Sequence, residues 1–356
     1  MSAHGHDHGT DHAAPGPGGG HDHGRSHGSE GHGQGPHDRG RHGPDAGGQG
    51  GPAGHAHGHA HDHGTGTEID WARMAAQLET NAELHLPALR DTAARLRTLL
   101  DGHPVRRVLD VGSGPGVMTC VLAEAFPEAE AVAVDATPAL LDRALARAER
   151  LDLGGRVSVL KAELPEGFAP DPVTGAPGLG GADLIWSSKA VHHLGDQQGA
   201  VTALAGLLRP GGALALAEGG LPMRFLPRDI GLGRPGLQSR LDTVQEHWYE
   251  VMRGELPGSV RVVEDWPAML GRAGLTGATA FSTLLDVPAP LDPAARAFLR
   301  GHLGRMREVM ESTLEADDAA TLDVLLDEAD PRGILGRPDA FLLSATTVFA
   351  ALRPAA

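Results

Sequence analysis

The residues best suited to chemistry are one acid and three alternating glycines. Between Val108 and Val117 an apolar run ends at Asp110, and Gly112, Gly114 and Gly116 follow it. Glycine accepts backbone conformations that other residues avoid, so a buried strand can turn sharply into a helix at this point. The missing side chains leave room for a ligand against bare backbone at the start of that helix. The pattern predicts a nucleotide-like cofactor before it predicts any reaction.

A second acid follows at the end of the next apolar run. Asp135 ends the sequence Val-Ala-Val-Asp, and a carboxylate there can accept hydrogen bonds from two ribose hydroxyls. An NAD-dependent oxidoreductase would also carry an acid at this place, so Asp135 alone does not separate the two classes. The spacing of the glycines does separate the two classes. A dinucleotide-binding loop would have its third glycine at position 117, where this chain has Val117.

Alternating strands and helices must position these residues. Apolar runs bounded by turn residues predict buried strands, and the segments between them have helical periodicity. Such an alternation implies right-handed crossovers and a parallel sheet covered on both faces. The expected strands are 106–112, 129–136, 156–162, 183–189 and 213–218, and the expected helices are 117–126, 138–153 and 197–208.

Three flanking segments are expected to form a helical cap. In the segment 66–104, an amphipathic pattern from Ile69 to about Leu100, broken near Pro87, predicts one or two helices. Insertions at 219–260 and 291–338 interrupt the later alternation, and we expect two short helices in the first and an acidic helical segment in the second. The remaining patterns predict a helix over 263–275 and strands over 278–287 and 339–352, the last of them antiparallel to its neighbour.

Residues 1–65 differ in composition from the rest of the chain. They hold 15 of the 21 histidines and almost no large apolar side chain, so this tail is expected to be disordered. Alternating imidazoles on a flexible chain can wrap around Ni, Zn, Cu or Co. A solubilising tail with incidental metal affinity is the competing interpretation. The candidate metal ligands are His55, His57, His59, His61 and His63.

Charge and cysteine content narrow the function classes. The formal net charge is −16, which disfavours a nucleic-acid partner because a phosphate backbone selects clustered lysine and arginine. The one cysteine, Cys120, excludes an intramolecular disulfide and fits a reducing compartment. No apolar run approaches 18 residues, and no signal-peptide pattern opens the chain. We expect a cytoplasmic protein that contacts neither nucleic acid nor membrane.

The motif acid-x-Gly-x-Gly-x-Gly resembles that of the class I S-adenosylmethionine-dependent methyltransferases. The resemblance covers residues 105–220 well and the later strands more loosely. It implies an α/β fold with a Rossmann-like, seven-stranded, mostly parallel sheet whose last strand is antiparallel, spanning 105–356 with the two cap insertions. It also implies S-adenosyl-L-methionine as cofactor, with Asp110 near the cofactor's amino-acid end.

Further positions follow from the same resemblance. An acid after the third strand often contacts adenine in this family; the alignment puts Ala162 or Glu163 there, and Glu163 is favoured because it can accept from the exocyclic amine. The segment 183–196 is similar to the fourth strand of small-molecule methyltransferases, with Asp183 as a fold residue. The implied cofactor-binding residues are Asp110, Gly112, Ser113, Gly114, Gly116, Asp135, Ala136, Ala162, Glu163 and Ser187.

The candidates for catalysis and substrate binding lie beyond the strand ends. His192 and His193 follow the fourth strand, where open α/β sheets place ligands, and an imidazole could take the proton of a substrate hydroxyl. A packing or capping role is the competing interpretation. Trp248 and Tyr249 in the first insertion could lie flat against a planar substrate, or could only pack the cap. Glu218, which ends the fifth strand, fits a site role and a structural role equally.

The sequence leaves the methyl acceptor open among oxygen, nitrogen, carbon and sulfur nucleophiles. A soft anion such as thiolate would need no base, so a catalytic residue is not obligatory. A non-catalytic regulator that binds the cofactor or a metal is the alternative from a different class. Calorimetric titration with S-adenosylmethionine and NAD would separate the methyltransferase from the oxidoreductase.

Overall fold

The computed structural model describes residues 71–168 and 178–355. The predictions for the tail and its five histidines therefore lie outside the described residues. Seven strands form one sheet, in the order β3-β2-β1-β4-β5-β7-β6. The strands are β1 (Arg107–Val111), β2 (Glu130–Asp135), β3 (Val157–Lys161), β4 (Ala182–Ser188), β5 (Leu208–Arg224), β6 (Thr276–Val287) and β7 (Leu342–Leu352).

The sheet is parallel except for its last strand. β1 pairs in parallel with β2 and β4, β2 with β3, and β4 with β5. β7 runs antiparallel between β5 and β6. The predicted Rossmann-like sheet with an antiparallel last strand is confirmed. Its carboxyl edge carries the ends of β1, β2, β4 and β5, which is where open sheets of this kind bind ligands.

Nine helices accompany the sheet within the described ranges. His85 separates the first two helices. Pro87 lies in the first turn of the second one, where its missing N–H group removes no helical hydrogen bond. None of the described helices is long and apolar enough to cross a bilayer. The helices are α1 (Trp71–Leu84), α2 (Leu86–Leu99), α3 (Val117–Ala125), α4 (Pro138–Arg150), α5 (Gln197–Leu207), α6 (Leu237–Glu255), α7 (Trp266–Arg272), α8 (Pro293–Val309) and α9 (Ala316–Leu326).

The first insertion differs from the prediction in two ways. β5 does not end near residue 218 but continues to Arg224, with Gly220 opposite Thr346 and Arg224 opposite Leu343 of β7. A Cβ on Gly220 would lie 2.0 Å from the carbonyl oxygen of Ala345, so glycine at this position permits close contact between the strands. The two short helices predicted after it are one helix, α6, of 19 residues.

Apolar cores lie on both faces of the sheet and within the cap. The central core lies between the sheet and its covering helices and includes fully buried Leu109, Ile185 and Leu214. The cap has a core of its own, formed where α6, α8 and α9 pack on the extended end of β5. Its largest buried side chains include Phe225, Leu241, Phe298, Leu299, Leu303, Leu322 and Leu342.

Ion pairs fasten α1 to α4. Glu79 pairs with Arg143 at 3.1 Å, Arg147 at 3.3 Å and Arg150 at 3.1 Å, and Glu83 pairs with Arg147 at 2.8 Å. Arg147 is buried, so this network is screened less than an exposed pair would be. The N-terminal helix is thereby fixed over the helix that follows Asp135.

Asp183, at the start of β4, has the structural role expected from the sequence. Its buried carboxylate accepts hydrogen bonds from the backbone N–H groups of Arg106 and Arg107, at 2.8 and 2.9 Å, and from Arg209 at 2.8 Å. These bonds satisfy a buried charge and join the beginnings of β1, β4 and β5.

Candidate active site

The glycine loop is built for close backbone approach. Gly112 and Gly116 have φ of +74° and +72°, a region that side chains disfavour. A Cβ on Gly112 would lie 2.5 Å from the Cβ of Ala190, and one on Gly116 would lie 2.4 Å from the Cβ of Ala144. These two glycines therefore let the loop pack against the segment after β4 and against α4. The predicted helix start at residue 117 agrees with the structure, whereas the predicted strand is one residue longer at each end than β1.

Gly114 differs from its two neighbours because its side-chain position is open. Its φ is +54°, and no atom lies within 4 Å of the place where a Cβ would be. Its N–H donates to Oδ2 of Asp135 at 3.0 Å, while Oδ1 of the same carboxylate accepts from the N–H of Thr137 at 2.9 Å. A carboxylate has about four acceptor positions, so roughly half of them remain for a ligand. Gly114 and Asp135 together form an open cradle at the carboxyl edge of the sheet.

Asp110 is a buried carboxyl group beneath this cradle. It is 2% exposed and accepts a hydrogen bond from Oγ1 of Thr119 at 2.6 Å. Burial raises the pKa of Asp110 to about 7; the Thr119 hydroxyl opposes the shift, and the negative charge of Asp135 adds to it. A cation bound nearby would favour the ionised carboxylate.

The remaining predicted cofactor residues fall into two groups. Ala136, Ala162 and Glu163 follow β2 and β3 at the same edge of the sheet, and Glu163 is exposed, so its carboxylate is accessible. Ser187 is fully buried, and its hydroxyl donates to the carbonyl oxygen of Val111 at 2.9 Å. That bond ties β4 to β1, so the Ser187 side chain supports the site from within the sheet.

His192 and Glu218 form a hydrogen-bonded pair at the ends of β4 and β5. Nδ1 of His192 lies 2.7 Å from Oε2 of the 2%-exposed Glu218. Oε1 of Glu218 accepts from the N–H groups of Ala190 and Val191, at 3.1 and 3.0 Å. With Nδ1–H donated to the carboxylate, a neutral His192 ring has its lone pair on Nε2. The pair has the arrangement of a general base with an orienting acid.

Arg253 of α6 fixes the turn that carries the two histidines. Its guanidinium donates to the carbonyl oxygens of His192 at 2.8 Å, Leu194 at 2.6 Å and Gly195 at 3.3 Å. The ring of His193 lies 4.2 Å from that of His192, centroid to centroid. Of the two predicted catalytic histidines, His192 is the one that borders the adjoining cavity.

That cavity has a volume of about 560 Å³ and lies between the sheet edge and the cap. The predicted pair Trp248 and Tyr249 lines it from α6, whereas their neighbour His247 is exposed and does not. The Tyr249 ring is 5.8 Å from that of His192. Burial, followed by the nearby charge of Glu264, raises the pKa of Tyr249, so its hydroxyl stays protonated.

Sequence reasoning missed part of the cavity wall. His85, Lys189, His302 and Arg305 line it together with His192 and Glu218. His302 and Arg305 are more than 100 residues from Lys189 in the chain, and no short motif connects them. The one available signal was that Lys189 is one of only two lysines.

Comparison with known proteins finds methyltransferases. Residues 109–214 match a methyltransferase domain family. The chain is 34% identical over 230 residues to a trans-aconitate 2-methyltransferase of Methylobacterium radiotolerans, covering 58% of this chain and 78% of that protein. A trans-aconitate 2-methyltransferase of Streptomyces coelicolor is 28% identical, over 67% of this chain and 71% of its own length. A solved O-methyltransferase family protein of Burkholderia thailandensis has a TM-score of 0.41 and 14% identity, over 80% of this chain and 60% of its own.

The chain belongs to the class I S-adenosylmethionine-dependent methyltransferases. It is an enzyme of methyl transfer, and the oxidoreductase and the non-catalytic regulator are set aside. The residues present fit the cofactor. The position beside Gly114 is open, and Asp135 can accept further hydrogen bonds. A cationic amino group would stabilise the ionised form of the buried Asp110 carboxyl, which burial disfavours.

Proposed function

We propose that the enzyme methylates a small molecule held in the cavity beside His192. The observation that carries this proposal is the position of the His192–Glu218 pair, at the sheet edge next to the cofactor loop and on the cavity wall. S-adenosylmethionine supplies a methyl group that its positively charged sulfur has already activated. The protein is left with alignment, exclusion of water and, for a protonated nucleophile, removal of one proton.

The cofactor-binding roles extend the same proposal. Asp135 accepts from the ribose hydroxyls, and the exposed carboxylate of Glu163 accepts from the adenine amine. The backbone of the glycine loop lies along the cofactor, and Asp110 faces its amino group. The supporting observations are the free acceptor positions on Asp135 and the open space at Gly114.

His192 is proposed as the general base. Nε2 takes the proton of the acceptor, and the buried carboxylate of Glu218 stabilises the imidazolium through Nδ1–H. The two backbone N–H groups on the other oxygen of Glu218 prevent the carboxylate from rotating away. Trp248 and Tyr249 form the wall against which the acceptor lies.

The proposal is tested by measuring S-adenosylhomocysteine formation with a panel of acceptors. Trans-aconitate is the first to try, because two relatives bear its name. Phenols, amines and thiols follow. Transfer to at least one small molecule supports the proposal. A protein that binds S-adenosylhomocysteine yet methylates only macromolecules would contradict it.

Cofactor affinity is expected to rise with pH up to about 7 and then to level off. Below pH 7 the Asp110 carboxyl holds a proton that it must release before it can pair with the cationic amino group. Each pH unit below 7 should therefore weaken binding by up to about tenfold. Calorimetric titration with S-adenosylhomocysteine from pH 5 to 9 measures this, and in Asp110→Asn the slope should disappear.

The stability of the ligand-free protein should depend on pH in the opposite direction. The unfolded chain releases the Asp110 proton near pH 3.8 and the folded protein near 7, so the folded state binds more protons between these values. The contribution of Asp110 to the free energy of unfolding therefore falls as pH rises through this window. A Tm of Asp110→Asn equal to that of the wild type at pH 8 would contradict the raised pKa.

The histidine tail is proposed as a separate metal-binding segment of a cytoplasmic enzyme. Deletion of residues 1–65 should leave kcat and KM within about twofold of the full chain, because no predicted cofactor or catalytic residue lies in that range. The same deletion should abolish the binding of Ni²⁺ and Zn²⁺ measured by calorimetry. Loss of turnover in the deletion variant would overturn the separation.

A further inference from the structure

Basic side chains from three separate segments meet at the cavity. His85 lies between α1 and α2, Lys189 follows β4, and His302 and Arg305 lie on successive turns of α8. All four line the same space. Such a set is unusual in a chain with a net charge of −16, because it concentrates positive charge where water is partly excluded.

These groups are close enough to influence one another. Burial lowers the pKa of His302 to about 4, and the charges of Arg305 and Lys189 lower it further. Burial also lowers the pKa of His85. The hydrogen bond to the backbone of Asn81 opposes this shift, and the charge of Lys189 adds to it. The two histidines are therefore neutral hydrogen-bonding groups near pH 7, while Lys189 and Arg305 provide the charge.

Lys189 has two features that a structural role leaves unexplained. It is one of two non-glycine residues in the described part of the chain with positive φ, at +51°, and such strain collects at functional sites. Its side chain is open to the cavity, and its ammonium group has no hydrogen bond or ion pair with any described residue. Burial lowers its pKa, and Glu218 only partly opposes that shift.

Most of the acidic side chains that line the cavity have hydrogen-bond or ion-pair partners other than Lys189. Glu218 accepts three hydrogen bonds, Asp242 pairs with Arg224, and Glu264 accepts from a glutamine on α5 at 2.9 Å. Glu246, on α6, also lines the cavity and is exposed to solvent. The ammonium group of Lys189, which lines the cavity together with His302 and Arg305, therefore has no partner among the described residues and can bind a ligand.

We propose that the methyl acceptor is an oxyanion, a carboxylate- or phosphate-bearing small molecule whose anionic group binds among Lys189, His302 and Arg305. This rests on the proposed function, since it takes the cavity to be the acceptor site. Lys189 supplies the charge, and the neutral His302 ring, on the same helix as Arg305, supplies a hydrogen bond. The other end of the acceptor then faces the His192–Glu218 pair.

The position of His302 favours the acceptor over the cofactor's own carboxylate as the bound anion. Its ring centroid lies 6.0 Å from that of Phe225 and 6.2 Å from that of Phe298, both part of the cap core. Lys189 belongs to the sheet edge. An anion bound between His302 and Lys189 would therefore contact both the cap and the sheet. The cofactor's carboxylate, if bound at the glycine loop, would not reach the cap.

Protection of Lys189 from amine labelling tests the anion site directly. The chain has two lysines, and Lys161 is exposed at the end of β3, so each molecule carries its own control. The intact full-length protein is acetylated with tricarballylate, glycerol phosphate or uncharged trimethyl tricarballylate present, and peptide mass spectrometry gives both rates. At ten times its Kd, a charged probe should slow labelling of Lys189 about tenfold and leave Lys161 unchanged.

The outcomes separate carboxylate from phosphate and acceptor from cofactor. Protection by only one of the two charged probes assigns the class of oxyanion. Equal labelling of Lys189 with the charged and uncharged probes overturns the inference. Protection by S-adenosylhomocysteine alone, with none from the charged probes, also overturns it, because the cofactor would then supply the anion.

Kinetics of Lys189 variants distinguish this inference from the proposed function. Lys189→Met should raise the KM of a carboxylate acceptor at least tenfold with the Kd of S-adenosylhomocysteine unchanged, and Lys189→Arg should restore part of the loss. Arg97→Met removes one exposed positive charge on α2 outside the cavity and should change neither value. If uncharged acceptors are methylated and Lys189→Met has no effect, the function stands and the inference fails. If no acceptor is methylated, the proposed function fails, and the labelling result still decides whether the cavity binds anions.

Discussion

Replacing Gly114 by alanine is expected to weaken S-adenosylhomocysteine binding on the order of 100-fold, or about 2.8 kcal/mol. The methyl group would occupy the open position beside Asp135, where the cofactor must approach the bare backbone. The protein itself should remain folded, because the new Cβ meets no protein atom within 4 Å. Its free energy of unfolding should fall by only roughly 1–2 kcal/mol, the cost of a left-handed backbone conformation for alanine.

Gly102→Ala is the matched control for this experiment. Gly102 also has positive φ, +79°, and open space around its side-chain position, but it lies between α2 and β1. It should show the same loss of stability with unchanged cofactor affinity. Calorimetric titration and thermal unfolding of both variants give the two quantities. Equal affinities for the two variants would mean that the cofactor does not lie against Gly114.

His192→Ala is expected to lower kcat roughly 10²–10⁴-fold for an acceptor that must lose a proton. The substitution removes the proposed proton acceptor, whereas the proposed cofactor site at the glycine loop is untouched. The Kd of S-adenosylhomocysteine should therefore stay within about twofold, because the variant loses only a group that acts in the transition state. Steady-state kinetics and calorimetry on the same preparation measure both effects.

His247→Gln is the control, since His247 is exposed and does not line the cavity. It should retain wild-type kcat. Glu218→Gln should lower kcat less than His192→Ala, because the base remains but loses its charged partner. An acceptor with a preformed thiolate should be nearly insensitive to His192→Ala. If kcat falls equally for thiolate and hydroxyl acceptors, His192 acts by shaping the site and not as a base.

The part of the site that could be predicted is the part that depends on local sequence. The turn from β1 to α3 needs glycines within a few residues of one another, and such a short spacing can be recognised in the sequence. Asp135 could be placed because the carboxyl ends of parallel strands meet at one edge of a sheet. The family, the fold and the antiparallel last strand followed from these signals and are confirmed.

The cap could not be predicted to the same depth because its contacts are long-range. Gly219 and Gly220 lie in the predicted insertion at 219–260, but β5 continues through them and pairs with β7, more than 120 residues later in the chain. Likewise, the cluster of Lys189, His302 and Arg305 exists only once α8 has packed against the end of β5. The charge and periodicity of a short stretch of sequence do not indicate contacts between residues so far apart in the chain.

The order of strands in the sheet also constrains biosynthesis. Among the strands that the structure describes, β6 is hydrogen-bonded only to β7, which follows it in the chain by more than 50 residues. While the ribosome is still making the second cap insertion, β6 has no partner, and the outer edge of β5 is exposed. The cavity, whose wall includes Ser344, Ala345 and Thr346 of β7, is completed last. The nascent chain can therefore fold its glycine loop before the cavity is complete.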